Sequence, residues 1–193
     1  GISWEKVKLG TGSRLPAPMF SLWKPWAFQG SSSRIRYFEG WYFKHVSAAN
    51  DQVYSFIPGI SLSKETKHAF IHVINGRSGE VFYFEYPVSE FSASKRDLHI
   101  DIGDSSFSYD GIHVNLQDQN HSIRGEIHYL GMDLYPSKIT NPGIMGWYSF
   151  VPFMECYHGL VSMGHDVTGT VELNNRVIEF SEGRGYSEKD WGK

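Results

Sequence analysis

The chain has 193 residues, 40% of them apolar and 20% charged, with a formal net charge of −3. That is enough for one substantial domain with its own core, and it lacks the basic excess on which nucleic-acid binding depends, so no nucleic-acid partner is expected. A single cysteine, Cys156, excludes an intrachain disulfide framework and a multi-thiolate metal site.

Residues 1–36 read as an irregular arm: Gly10-Thr-Gly-Ser, then Pro16, Pro18 and Pro25 among Trp23, Trp26 and Phe28, then Gln29-Gly-Ser-Ser-Ser. Its tryptophans need burial, either as a plug in the end of a barrel or as a lid over a ligand opening. From Phe38 onward the signal is β. Short runs rich in β-branched and aromatic residues recur at 53–60, 69–74, 81–86, 98–102, 107–109, 112–116, 123–129, 171–173 and 177–180, each bounded by turn residues. Leu98, Ile100 and Ile102 alternate with Asp97, His99 and Asp101, as Ile112, Val114 and Leu116 do with polar neighbours, so these strands have one wet face. Asp110-Gly111 and Asn174-Asn175 predict tight hairpins, and Asn75-Gly76 to Gly79 a slightly longer one. Val81-Phe-Tyr-Phe-Glu-Tyr is aromatic on both faces, which predicts one face on the core and the other on a cavity or a neighbouring element.

These strands predict an all-β, antiparallel meandering barrel or sandwich with little helix, residues 37–193 forming one domain. Tyr135–Met145, with Pro136 and Pro142, is the one long connection after the arm.

Three stretches combine aromatic rings with carboxylates: Tyr37–Lys44, Met145–His158 and Gly183–Gly192. Side chains two apart on a strand share a face. Extended, the last stretch puts Arg184, Tyr186, Glu188 and Asp190 on one side and Lys189 and Trp191 on the other; the central one pairs Glu155 with Tyr157, and Cys156 with His158; the first aligns Glu39, Trp41 and Phe43. A carboxyl group among rings has its charged form disfavoured and can serve as a general acid near neutral pH, while ring faces stabilise a developing cation. The competing reading has Glu188 and Asp190 pairing with Arg184 and Lys189 at a barrel rim. Glu155 ranks first among the acids, together with Glu188 and Asp190, because no Lys or Arg lies between Lys138 and Arg176 to pair with it locally.

Cys156 beside His158 invites a nucleophile, but a lone cysteine among aromatics reads as inert and buried, and nothing supplies an oxyanion hole. His68 and His72 share a strand face about 13 Å apart at ~3.3 Å per residue, too far to chelate one ion. No metal is therefore expected. Gly183-Arg-Gly is too short for a phosphate loop.

Phe38-Glu-Gly-Trp-Tyr-Phe-Lys, Phe56-Ile-Pro-Gly-Ile-Ser-Leu, the run from Pro142 to Gly159 and Gly183-Arg-Gly-Tyr-Ser-Glu-Lys-Asp-Trp-Gly-Lys resemble, in order, the tocopherol cyclase family, which is distantly similar to the carotenoid 1,2-hydratases. The resemblance implies a lipocalin-like (calycin) antiparallel barrel or half-open sheet and cofactor-independent closure of a chromanol ring on a prenylated hydroquinone, by alkene protonation and addition of the ring hydroxyl. It also implies a small hydrophobic prenylated ligand, peripheral membrane contact for its uptake, and a second, C-terminal β module beyond this chain. The Tyr-x-Glu-x-Asp-Trp segment is similar to a hydratase motif and points at Tyr186, Glu188, Asp190 and Trp191. Together these readings make Glu155, Glu188, Asp190, Tyr186 and His158 the catalytic candidates, and Glu39, Trp41, Tyr42, Trp147, Tyr148, Tyr157 and Trp191 the substrate-binding ones. The alternatives are a lipocalin-like, non-catalytic carrier of a prenyl or polyene ligand, or a hydratase-like enzyme. No stretch approaches the ~18 apolar residues of a membrane span and the N-terminus lacks a secretory layout, so a soluble, cytoplasmic protein is expected, or a plastid one in a photosynthetic eukaryote.

Overall fold

The computed structural model describes residues 24–30, 36–63, 65–134 and 156–192. They form β1 (Tyr37–Val46), β2 (Val53–Leu62), β3 (Lys67–Asn75), β4 (Val81–Tyr86), a single 3-10 turn (Val88–Glu90), β5 (Phe91–Ala93), β6 (His99–Ile102), β7 (Ser105–Ser108), β8 (Gly111–Gln117), β9 (Ser122–Leu130), β10 (Cys156–Leu173), β11 (Arg176–Glu179) and β12 (Gly183–Gly192). All twelve strands join one antiparallel sheet in the order β4-β3-β2-β1-β12-β10-β9-β8-β7-β6-β5, with β11 paired to β10 off that path. The sheet is a half-open one, with β4 and β5 as its ends. Among the described residues no helix is long and apolar enough to cross a membrane.

Alternation builds the core. On β1 every odd residue from Tyr37 to His45 is buried, and on β8 Ile112, Val114 and Leu116 are buried while their neighbours are wet. The sheet curls so that inward rings from distant strands meet: Phe43 stacks on Phe107 of β7 at 5.7 Å, and Trp41 lies 6.4 Å from Phe91 of β5. Both Asn174 and Asn175 have positive φ, 48° and 67°, as a two-residue hairpin requires. On β4, Phe82 and Phe84 fill the core, while Tyr83 packs outside against His72, 4.4 Å away, so the second aromatic face meets the neighbouring strand β3.

Two strand expectations change. The run at 171–173 is only the end of the eighteen-residue β10, whose pairing with β12 shifts register between Leu160 and Ser162 and again between Ser162 and His165. Such bulges break the period of two, which hides a strand from sequence. The short β5, three residues long, carried no periodic signal at all.

Residues 24–30 stopper one part of the curl. Trp26 and Phe28 pack on the core, the Phe28 amide donates to the Ser94 carbonyl at 2.9 Å, and the Trp41 indole N–H donates to the Trp26 carbonyl at 2.8 Å. In this segment the rings act as a plug.

Deeper on the same side lies a polar cluster that sequence reasoning missed. His45 Nε2 meets the Tyr129 hydroxyl at 2.7 Å, the Tyr129 and His165 rings lie 4.5 Å apart, and Ser162 Oγ meets His165 Nδ1 at 3.1 Å. His165 fits only because Gly185 faces it: a Cβ there would come within 2.2 Å of Nε2. That Nε2 and Ser187 Oγ are buried without a partner among the described residues, an arrangement that costs stability. Burial first, and then the charge of His165, lowers the His45 pKa to about 3; burial lowers that of His165 to about 4. Both are below the unfolded value near 6.5. Below that value the unfolded chain binds more protons than the folded one, so stability should fall as pH drops from about 6.5 towards 4. Urea midpoints measured across this range are expected to decline with acid. Replacing both histidines with Gln should flatten the decline, and an unchanged slope in that variant would contradict the assignment. Imidazole NMR signals of the unaltered protein should show the pair still neutral at pH 5.

Candidate functional site

The first and last aromatic-carboxylate motifs and the described end of the central one, residues 156–158, lie on adjacent strands. β12 lies between β1 and β10, so Tyr42 sits opposite Glu188, Asp190 opposite His158, and Trp191 opposite both Glu39 and Tyr157. Alternation then divides their side chains between two faces.

On the outer face four groups make a continuous row. The Tyr186 hydroxyl donates to Glu188 Oε2 at 2.6 Å, that same oxygen lies 3.4 Å from His158 Nε2, and His158 Nδ1 lies 2.5 Å from Asp190 Oδ1. Burial, followed by the hydrogen bond and charge of Glu188, pushes the Tyr186 phenol pKa up, which keeps it protonated and donating. The side chains of Glu188, His158 and Asp190 are 24%, 33% and 45% exposed, so the row is sheltered yet reachable. Tyr42 extends it on β1, its ring edge-on to Tyr186 at 6.5 Å and its hydroxyl accepting from Ser55 Oγ at 2.8 Å. Beside the row lies an open groove of about 710 Å³, within the range of small-molecule sites. Tyr42 and Val46 line it from β1, Tyr186 and Glu188 from β12, and Met163 from the bulge of β10.

The inner face holds a buried ion pair. Lys189 Nζ lies 2.5 Å from Glu39 Oε1, both side chains fully buried, and 5.0 and 4.9 Å from the ring centres of Trp41 and Trp191. Glu39 also accepts from the Tyr37 hydroxyl at 2.5 Å and from the amides of Gln29 and Gly30 at 2.9 and 3.0 Å, and Lys189 donates to the Ala27 carbonyl. Burial lowers the Lys189 pKa to about 8 against the pull of Glu39. Tyr157 stacks on Trp191 at 5.7 Å on this side.

Among the expected site residues, Glu188, Asp190, Tyr186, His158 and Tyr42 thus gather on the outer face. Glu39, Trp41, Tyr157 and Trp191 lie on the inner one, where the Glu39 carboxylate is occupied in tying residues 24–30 to the sheet. Glu155, Trp147 and Tyr148 lie outside the described residues. The rim pairing does not form as expected: Glu188 and Asp190 take His158, Arg184 takes Asp166 at 3.1 Å, and Lys189 turns inward to Glu39. Cys156 is exposed rather than buried, and its thiol pKa is raised by partial burial and by Asp190, which disfavours the reactive thiolate. His158, Glu188 and Asp190 offer atoms within 4.8 Å of one another, a donor set of the nitrogen-and-oxygen kind that divalent metals accept. The 2.5 Å contact of His158 Nδ1 with Asp190 is a hydrogen bond that a bound ion would have to replace.

No family model and no curated protein matches the sequence. Among solved structures the chain is similar to CghA, at 11% identity and a TM-score of 0.50 over 81% of this chain and 46% of that one. It is also similar to an AttH protein from Nitrosomonas europaea, at 10% identity and 0.46 over 97% of this chain and 57% of that one, and to kievitone hydratase from Nectria haematococca, at 8% and 0.40 over 80% and 48%. The chain spans about half the length of these proteins, and the likeness to CghA is one of fold.

Removing one partner of a buried ion pair leaves an uncompensated charge and costs about 3–5 kcal/mol. Lys189→Met should therefore destabilise the fold by that order in urea unfolding, and the double variant Lys189→Met with Glu39→Gln should recover much of the loss. Equal losses in single and double variants would mean that packing against Trp41 and Trp191, not charge, is what Lys189 supplies.

Proposed function

We propose that this protein is a proton-transfer catalyst on a hydrophobic prenylated ligand, with ring closure of a tocopherol cyclase-like kind as the reaction. The observation that carries the reading is the unbroken contact Tyr186–Glu188–His158–Asp190 beside a ring-lined groove. Glu188 is the row's groove-lining carboxyl, and so the group placed to meet substrate. In its acid form it gives a proton to the alkene carbon, forming a C–H bond and a tertiary cation. The Tyr42 and Tyr186 rings are placed to stabilise that cation through their π faces. A hydroxyl of the same ligand then adds to the cation, its proton returns to Glu188, and the net change is an isomerisation that needs no redox cofactor. His158 and Asp190 hold the Glu188 side chain and share its proton, as general acids are commonly oriented by a neighbouring partner.

A second reading, a non-catalytic carrier, draws support from the same contacts, because each of Glu188 and Asp190 already has an ion-pair partner. The two readings separate on isotope and variant. In heavy water a prenylated hydroquinone should yield product with one deuterium on the ring methylene next to the oxygen-bearing carbon. Glu188→Gln keeps the shape and removes the transferable proton, so turnover should fall by a factor of order 10² with folding intact. Absence of any cyclised product would leave the carrier reading in place, unlabelled product would contradict the protonation mechanism, and turnover of Glu188→Gln within a few-fold of the parent would show that Glu188 is not the acid.

A further inference from the structure

The groove beside Glu188 has a cationic end. β1 and β12 run antiparallel with Lys44 opposite Tyr186 and Val46 opposite Arg184, so outward side chains follow in pairs: Tyr42 with Glu188, Lys44 with Tyr186, Val46 with Arg184. Lys44 and Arg184 both line the cavity. At ~3.3 Å per residue, Arg184 sits roughly 13 Å along β12 from Glu188, and Lys44 is level with a point roughly 7 Å from it.

The two cations differ in availability. Arg184 pairs with Asp166 at 3.1 Å, but both side chains are largely exposed, and such pairs are easily shared with an incoming anion. Lys44 is half-buried, lines the groove and has no hydrogen-bond or ion-pair partner among the described residues. A neutral ligand would leave the Lys44 charge unanswered. Glu188 lies beyond the screening length of about 8 Å from Arg184, though just within it of Lys44, so it repels an anion weakly only when that anion is held towards the Arg184 end. The Val46 and Met163 side chains supply apolar wall between the charges.

We infer that the groove takes an anionic amphiphile: a prenylated phenol carrying a carboxylate, with the anion on Lys44 and Arg184 and the alkene at Glu188. This rests on the proton-transfer reading for the alkene end and on the cation placement for the other.

The test uses the full chain and two probes, 3-geranyl-4-hydroxybenzoate and its methyl ester, with binding followed by tryptophan fluorescence. A charge-assisted contact of this kind corresponds to about tenfold or more in affinity. The free acid should bind at least that much tighter than the ester, the gap should narrow as salt is raised, and it should narrow in Lys44→Met, where Arg184 remains, while Lys44→Arg restores it. A thermal melt of Lys44→Met should match the parent, since the side chain faces outward. Equal affinities for acid and ester, a gap unchanged in Lys44→Met, or binding of neither probe would each overturn the inference. The two ideas fail separately. An ester that binds as well as the acid and is cyclised leaves proton transfer standing without the anion site, whereas Lys44-dependent acid binding with no cyclisation leaves the anion site without the chemistry.

Discussion

The structure depends on the position of β12 between β1 and β10. A strand with two antiparallel partners and a period of two assigns every residue to a face, and a slip of one would send Lys189 to solvent and Glu188 into the core. The register is held from inside. Lys189 reaches Glu39 on β1 and sits between Trp41 and Trp191, and Glu39 in turn gathers the amides of residues 29 and 30. A desolvated pair of this kind adds little net stability against an apolar alternative, but it penalises every register in which either charge lacks its partner. The outer row follows from that choice, because Tyr186, Glu188 and Asp190 are the residues left facing out.

The two faces carry different kinds of polarity. Inside, His45, His165, Tyr129 and Ser187 are neutral groups in an aromatic core, with hydrogen-bonding capacity left over on His165 and Ser187. Outside, charge is concentrated at two places along one groove, the Glu188 end with His158 and the Lys44–Arg184 end. Catalysis by proton transfer needs an acid that is sheltered but approachable, and Glu188 at 24% side-chain exposure meets that condition where Glu39, fully buried and fully bonded, does not.

Much of this was legible in sequence because strands announce themselves by alternation. The hairpin at Asn174-Asn175, the wet and dry faces of β8 and the division of Tyr186, Glu188 and Asp190 from Lys189 and Trp191 all follow from a period of two. The partnerships did not follow, since alternation says which residues share a face and not which strand lies alongside. Lys189 was readable as a rim cation, yet only the adjacency of β1 shows that Glu39 waits for it inside. His158 was linked to Cys156 by spacing along one strand, whereas its actual neighbours, Glu188 and Asp190, lie across the ladder. His165 escaped notice because it follows two register shifts that erase the period before it, whereas His45 continues the inner face of Glu39, Trp41 and Phe43 on β1.

The central claim is that chemistry takes place on the outer face of β1, β12 and β10 rather than among the inner tryptophans. A crystal structure of the protein with a prenylated hydroquinone tests it most directly. The account predicts the prenyl alkene beside Glu188, within contact of Tyr42 and Tyr186. Ligand lodged on the inner face against Trp41 and Trp191, with the outer groove empty, would contradict it.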